Sequence, residues 1–187
     1  MGALGRGDEF PNLTLESMDG PVRLSDRWSS GPLVIVFMRH FGCAFCREHL
    51  IRLARAYDEI KAAGGDVVAA FQYRAEPTRN FCRSRGVPFD CLGDPKKEGY
   101  RAVGLSRGGV KEYLGPKVWL RWPRAARVGA HVGKPQGDVA QRPGTFVLDT
   151  NGRVVFAHYN SDSTDNPRTE DVVKAVERAA GVTPQPR

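Results

Sequence analysis

The chain has 187 residues, 41% hydrophobic and 26% charged, the composition of one globular domain large enough to bury a core without staples. Four cysteines are too few at this length for a secreted disulfide scaffold, Met1 to Asp8 carries no apolar signal segment, and no apolar run approaches the ~18 residues of a membrane span. A cytoplasmic protein with reduced thiols is the expectation, and the net charge of +7 is informative only through where it lies.

In chain order, Phe10 to Leu15 and Val22-Arg23-Leu24 alternate around Met18-Asp19-Gly20, which predicts a hairpin. Ser25-Asp26 and Gly31-Pro32 break the pattern before the apolar strand Leu33 to Met38. Cys46, Leu50, Leu53, Tyr57 and Ile60 then recur at helical spacing until Gly64-Gly65, and Val67 to Phe71 is a second buried strand. This strand-helix-strand order is a right-handed parallel crossover. Pro77 stands early in a helix that Gly86 stops, Pro88 to Leu92 is a short strand, and Pro95 to Val103 a short helix. Thr145 to Asp149 and Arg153 to Tyr159 flank Asn151-Gly152 as a second hairpin. The last helix opens at Pro167, with Val172, Val173, Val176, Ala179 and Ala180 as its apolar stripe, and ends at Gly181.

The chemistry-bearing stretch is Arg39-His40-Phe41-Gly42-Cys43-Ala44-Phe45-Cys46-Arg47. It places two thiols between a buried strand and the start of a helix. There the unpaired N–H groups and the positive end of the helix dipole favour a thiolate, the reactive form. His40, Arg39 and Arg47 are candidates to lower a thiol pKa further. Two thiols three apart support a dithiol–disulfide cycle, with either cysteine as the attacking group. A metal site is the weaker reading, because Cys82 and Cys91 lack the paired spacing of structural zinc, and His131 and His158 have no telling spacing. No metal ligand is therefore assigned. Cys82 and Cys91 are expected as small core residues.

Residues 106–142 differ in kind. They hold eight Lys or Arg against two acids, Glu112 and Asp138, so that 8 − 2 = +6 of the net charge lies there with Trp119 and Trp122. A lid for an anionic apolar substrate, a membrane-surface or protein-docking patch, and a flap over a sheet edge are the readings this admits. Nucleic acid is disfavoured, since no reading motif accompanies the charge.

The stretches Phe10 to Leu15, Val22 to Asp26, Arg39 to Arg47, Pro88 to Pro95, Gly133 to Asp138 and Gly144 to Asp149 together resemble the AhpC/TSA family, and within it the peroxiredoxin-like 2 branch. The resemblance implies an α/β thioredoxin-like fold over residues 1–187. Its central mixed sheet is flanked by helices, with an N-terminal hairpin extension and a basic insertion before the last hairpin. It implies a thiol oxidoreductase acting on a peroxide, endoperoxide or other oxidised small molecule, with Cys43, Cys46, His40 and Arg142 as the catalytic set. Substrate contacts are expected from Arg39, Phe45, Trp119, Trp122, Arg127, Pro143, Gly144 and Thr145. No flavin or nicotinamide motif is visible, so a thioredoxin-type or low-molecular-weight thiol is the expected reductant, with no bound cofactor, in a monomer or homodimer. Against the family pattern, Cys43 stands where peroxiredoxins place threonine, Cys46 at the peroxidatic position, and Arg39 in place of a proline. This favours a dithiol route. Pro143 resembles the proline, typically cis, that faces the cysteines in thioredoxin folds, one residue early. A non-catalytic binding or accessory protein is the rival reading.

Overall fold

A computed structural model describes residues 2–109, 123, 126–127, 129 and 137–181. Among these, the strands are β1 (Thr14–Ser17), β2 (Gly20–Arg23), β3 (Leu33–Phe37), β4 (Asp66–Phe71), β5 (Asp90–Gly93), β6 (Gly144–Leu148) and β7 (Val154–Tyr159). The helices are α1 (Leu24–Trp28), α2 (Ala44–Arg55), α3 (Tyr57–Ala62), α4 (Ala75–Arg83), α5 (Glu98–Ala102) and α6 (Thr169–Ala179). The strands form one mixed sheet in the order β2-β1-β5-β4-β3-β6-β7. β3, β4 and β5 run parallel, while β6 lies antiparallel to β3 and β7 antiparallel to β6. This is the expected thioredoxin-like arrangement.

Every residue of β3 is buried because both faces of the sheet are covered. Alternate side chains divide between two cores. Val34 and Val36 pack with α2 and α6 through Leu50, Leu53, Val172 and Val176. Leu33, Ile35 and Phe37 pack on the other face with Phe10, Leu24, Tyr100 and Phe146. The site therefore sits where the central strand leaves the sheet.

Three local features depart from expectation. The helix predicted to run without interruption to Gly64 breaks at Ala56 (ψ 5°) into α2 and α3. The break lets the Tyr57 hydroxyl donate to Asp66 at 2.9 Å while Ile60 stays in the core. Helix α1 was masked by its turn-forming Ser25-Asp26, but it buries Leu24 and Trp28 four residues apart. Cys82 and Cys91 are joined by a disulfide rather than packed as thiols. The chain folds back between α4 and β5, bringing Cα atoms nine residues apart in sequence to 6.5 Å. Sequence periodicity carries no signal for such a return.

The 106–142 segment leaves and rejoins the domain through a paired neck. Arg107 and Gln141 bridge, Gly108 N–H donates to Ala140 at 2.7 Å, and Arg142 N–H donates to Ser106 at 3.2 Å. The expectations placed on Trp119 and Trp122 lie outside the described residues. Among the described residues, no helix is long and apolar enough to cross a membrane.

Candidate active site

Beyond Phe37 the backbone stays tied to the neighbouring strand, Met38 N–H donating to Ala70 at 2.8 Å. The buried Tyr100 hydroxyl sits within hydrogen-bond reach of both the Met38 (2.6 Å) and Ala70 (3.0 Å) carbonyls. From this anchor the chain turns through Arg39 to Gly42 and enters α2. Cys43 is the N-cap residue, in extended backbone conformation, and its sulfur accepts the Cys46 N–H at 3.3 Å. That is the place of a serine or aspartate oxygen in an ordinary cap, here filled by a thiol. Cys43 and Cys46 are free thiols, 5% and 2% exposed.

The two thiols are unequal. The Cys46 side chain donates toward the Cys43 sulfur, which is the largest influence lowering the Cys43 pKa from an ordinary 9.0 to about 7. Arg39 adds its charge and a guanidinium hydrogen bond, and together with the Cys46 N–H these overcome the cost of burial. Cys46 is pushed well up, first by burial and then by its bond to Cys43 and the negative charge there. The pair thus keeps its proton on Cys46 and makes Cys43 the more acidic thiol.

His40 does not act as a cation here. Burial, then Arg39 and Arg47, lower its pKa to about 4, and its Nδ1 accepts the Gly42 N–H at 3.1 Å. It shapes the turn as a neutral imidazole, and the positive charge comes from the guanidiniums. Arg47, half-buried, donates from Nε to the Phe41 carbonyl at 2.6 Å. Phe41 stacks between Tyr73 (3.8 Å) and Phe81 (4.3 Å).

Of the other predicted residues, Pro143, Gly144 and Thr145 line one narrow crevice, too tight for a water molecule, together with Cys46 and His49. The segment before β6 is therefore brought to Cys46. None of the described peptide bonds is cis, so the bond before Pro143 is trans. Arg39 is buried, its Nε donating to the Val139 carbonyl at 2.7 Å. The Arg142 guanidinium donates to Ser106 Oγ at 3.2 Å, at the neck of the insertion. Phe45 is a core residue at 4% exposure rather than an open contact, because α2 turns its ring inward. Arg127 is exposed.

Sequence reasoning missed several groups. His49 is buried, its Nε2 3.1 Å from Thr145 Oγ1. Asn166 donates to the Phe45 carbonyl at 3.0 Å. Gln72 bonds the Arg39 carbonyl and, at 3.0 Å, the Asp138 carbonyl. The signal for Gln72 was its place as the first polar residue after an apolar strand, at the carboxyl edge where open α/β sheets put their sites.

The sequence profile of the AhpC/TSA antioxidant enzyme family matches residues 52–162, a stretch that begins after both site cysteines. Prostamide/prostaglandin F synthase of Salmo salar is 29% identical over 176 residues, 90% of this chain and 86% of that protein. Peroxiredoxin-like 2C of Bos taurus is 24% identical over 171 residues, covering 87% of this chain and 75% of the relative. Among solved structures, peroxidoxin BcpB from Mycobacterium tuberculosis superposes with a TM-score of 0.68 at 18% identity, over 94% of this chain and 97% of that one. A peroxiredoxin-like protein from Aquifex aeolicus gives a TM-score of 0.70 at 14% identity, over 96% and 90%. These structural likenesses concern the fold.

Proposed function

The chain belongs to the AhpC/TSA antioxidant enzyme family, in its peroxiredoxin-like 2 branch, and from that premise we propose that it reduces a peroxide-type small molecule through a Cys43/Cys46 dithiol cycle. The observation that carries the reading is the inequality of the two thiols. Cys43 is the helix-capping sulfur that accepts hydrogen bonds and faces the Arg39 charge, while Cys46 keeps its proton.

The Cys43 thiolate attacks one oxygen of the O–O bond. That bond breaks, the distal oxygen leaves as an alkoxide or hydroxide that takes a proton, and Cys43 becomes a sulfenic acid. Cys46 then attacks the Cys43 sulfur, forming the Cys43–Cys46 disulfide and releasing water. An external thiol donor, of thioredoxin type or low molecular weight, supplies two electrons and two protons to restore the pair. No bound flavin, nicotinamide or metal enters these steps.

One equivalent of hydrogen peroxide or an alkyl hydroperoxide should remove both free thiols and create a Cys43–Cys46 disulfide, located by peptide mass spectrometry. With Cys46→Ser, a sulfenic acid trappable by dimedone should accumulate on Cys43; with Cys43→Ser, consumption should fall by about 10³-fold or more. Retention of two free thiols after oxidation would mean that the protein binds its ligand without turning it over.

A further inference from the structure

We propose that Gln72 is a positioning residue of the thiol site, clamping Asp138 and Val139 to the Arg39 turn so that this contact sets how the Arg39 guanidinium is held at Cys43. The inference rests on the reading of Cys43 as the working thiolate and adds a residue that positions its cation.

Gln72 follows the last residue of β4 and is 9% exposed. Its amide reaches both ways. Nε2 donates to the Arg39 carbonyl and, at 3.0 Å, to the Asp138 carbonyl, while Oε1 accepts the Asp138 N–H at 2.7 Å. Asp138 is thus held through both its backbone groups. The neighbouring Val139 carbonyl accepts from Arg39 Nε at 2.7 Å. One side-chain amide and one guanidinium therefore cross-link the same two segments.

This contact is fixed from outside as well. The Asp138 carboxylate accepts from Lys97 at 2.6 Å and pairs with Arg107 at 3.1 Å, and its pKa is lowered by these cations despite partial burial. Gly137 turns in the left-handed region, φ +67°, where a Cβ would come within 3.0 Å of Gln72 Oε1. The chain thus passes against the clamp with no room for a side chain.

The titratable and charged groups around the sulfurs come from several elements. Cys46, Arg47 and His49 lie on α2, Arg39 in the turn, Tyr73 after β4 and Tyr100 on α5. Gln72 itself is uncharged, so its replacement by leucine adds and removes no charge. A change in the acidity of Cys43 is then not a direct charge effect of residue 72 and reports a rearrangement of the groups around the sulfur.

The test is the pH dependence of iodoacetamide alkylation at Cys43, followed by mass spectrometry on the full chain. In the wild type the midpoint should lie about two pH units below that of an ordinary thiol. In Gln72→Leu it should rise by about one unit, so that alkylation below neutrality slows several-fold. Gly137→Ala alters the same contact from the exposed side and should shift the midpoint the same way, which keeps the test open if the leucine variant does not fold. An acidic wild-type Cys43 with unmoved midpoints in both variants would refute the clamp and leave the proposed function standing. An ordinary midpoint in the wild type would overturn both.

Discussion

At the scale of single residues, the site is governed by which groups hold charge in a buried turn. Cys43 is the more acidic thiol because its sulfur accepts a hydrogen bond from Cys46 and caps α2, beside Arg39. His40 stays neutral because two guanidiniums and little water surround it. This makes His40 a source of acid sensitivity. Its folded pKa of about 4 lies below the ordinary 6.5, so between these values the unfolded chain binds a proton that the folded chain refuses. Stability is then complete above about pH 6.5 and is lost as the pH falls toward 4. The loss from this group should be on the order of 2 kcal/mol, allowing for residual solvation of the ring. His40→Asn places an oxygen near the Nδ1 position that accepts the Gly42 N–H. It should flatten the pH dependence of urea unfolding over that window, whereas a curve unchanged from the wild type would show that His40 is not the group responsible.

At the scale of elements, the Cys82–Cys91 disulfide joins the end of α4 to β5 across nine residues of sequence. Closing a loop of that size in the unfolded chain is expected to stabilise the fold by about 2–3 kcal/mol. For a chain of this size that corresponds to a Tm lower by roughly 4–12 °C once the bond is gone. Thermal unfolding with and without dithiothreitol measures it: the wild type should drop by that amount, and Cys82→Ser with Cys91→Ser should start lower and ignore the reductant. A wild-type Tm indifferent to reductant would show that the link contributes nothing. The same elements show what the amino-acid sequence reveals and what it hides. Both hairpins, the buried strands and the thiol-headed helix were legible because each is a local pattern of apolar period and turn residues. The disulfide, the break at Ala56, the neutral state of His40 and the Gln72 clamp were not, because each depends on which distant segments the sheet brings together. Even the C-x-x-C pair was legible only as two thiols. Their inequality comes first from the hydrogen bond between them and from burial, to which an arginine held by a carbonyl one hundred residues away adds its charge.

At the scale of the whole molecule, charge is distributed unevenly. Residues 106–142 carry +6 of the +7 net charge, leaving the rest of the chain near balance. The neck of this segment is tied to the turn before Cys43 through Arg39, Gln72 and Asp138, and the chain's net charge of +7 gives it a positive field. Such a field raises the encounter rate of anionic molecules and leaves neutral ones unaffected, and salt screens it over about 10 Å at 0.1 M. A hydroperoxide bearing a carboxylate should therefore be reduced with a kcat/KM that falls about three-fold or more between about 20 and 200 mM salt. Hydrogen peroxide, being uncharged, supplies the internal control, and its kcat/KM should stay nearly flat over the same range. Replacing the exposed Arg127 with glutamine should reduce the slope for the carboxylate substrate without changing the rate for hydrogen peroxide. Equal salt dependence for the two substrates would show that the basic segment does not guide what reaches Cys43, and would assign its charge to docking or to covering the sheet edge instead.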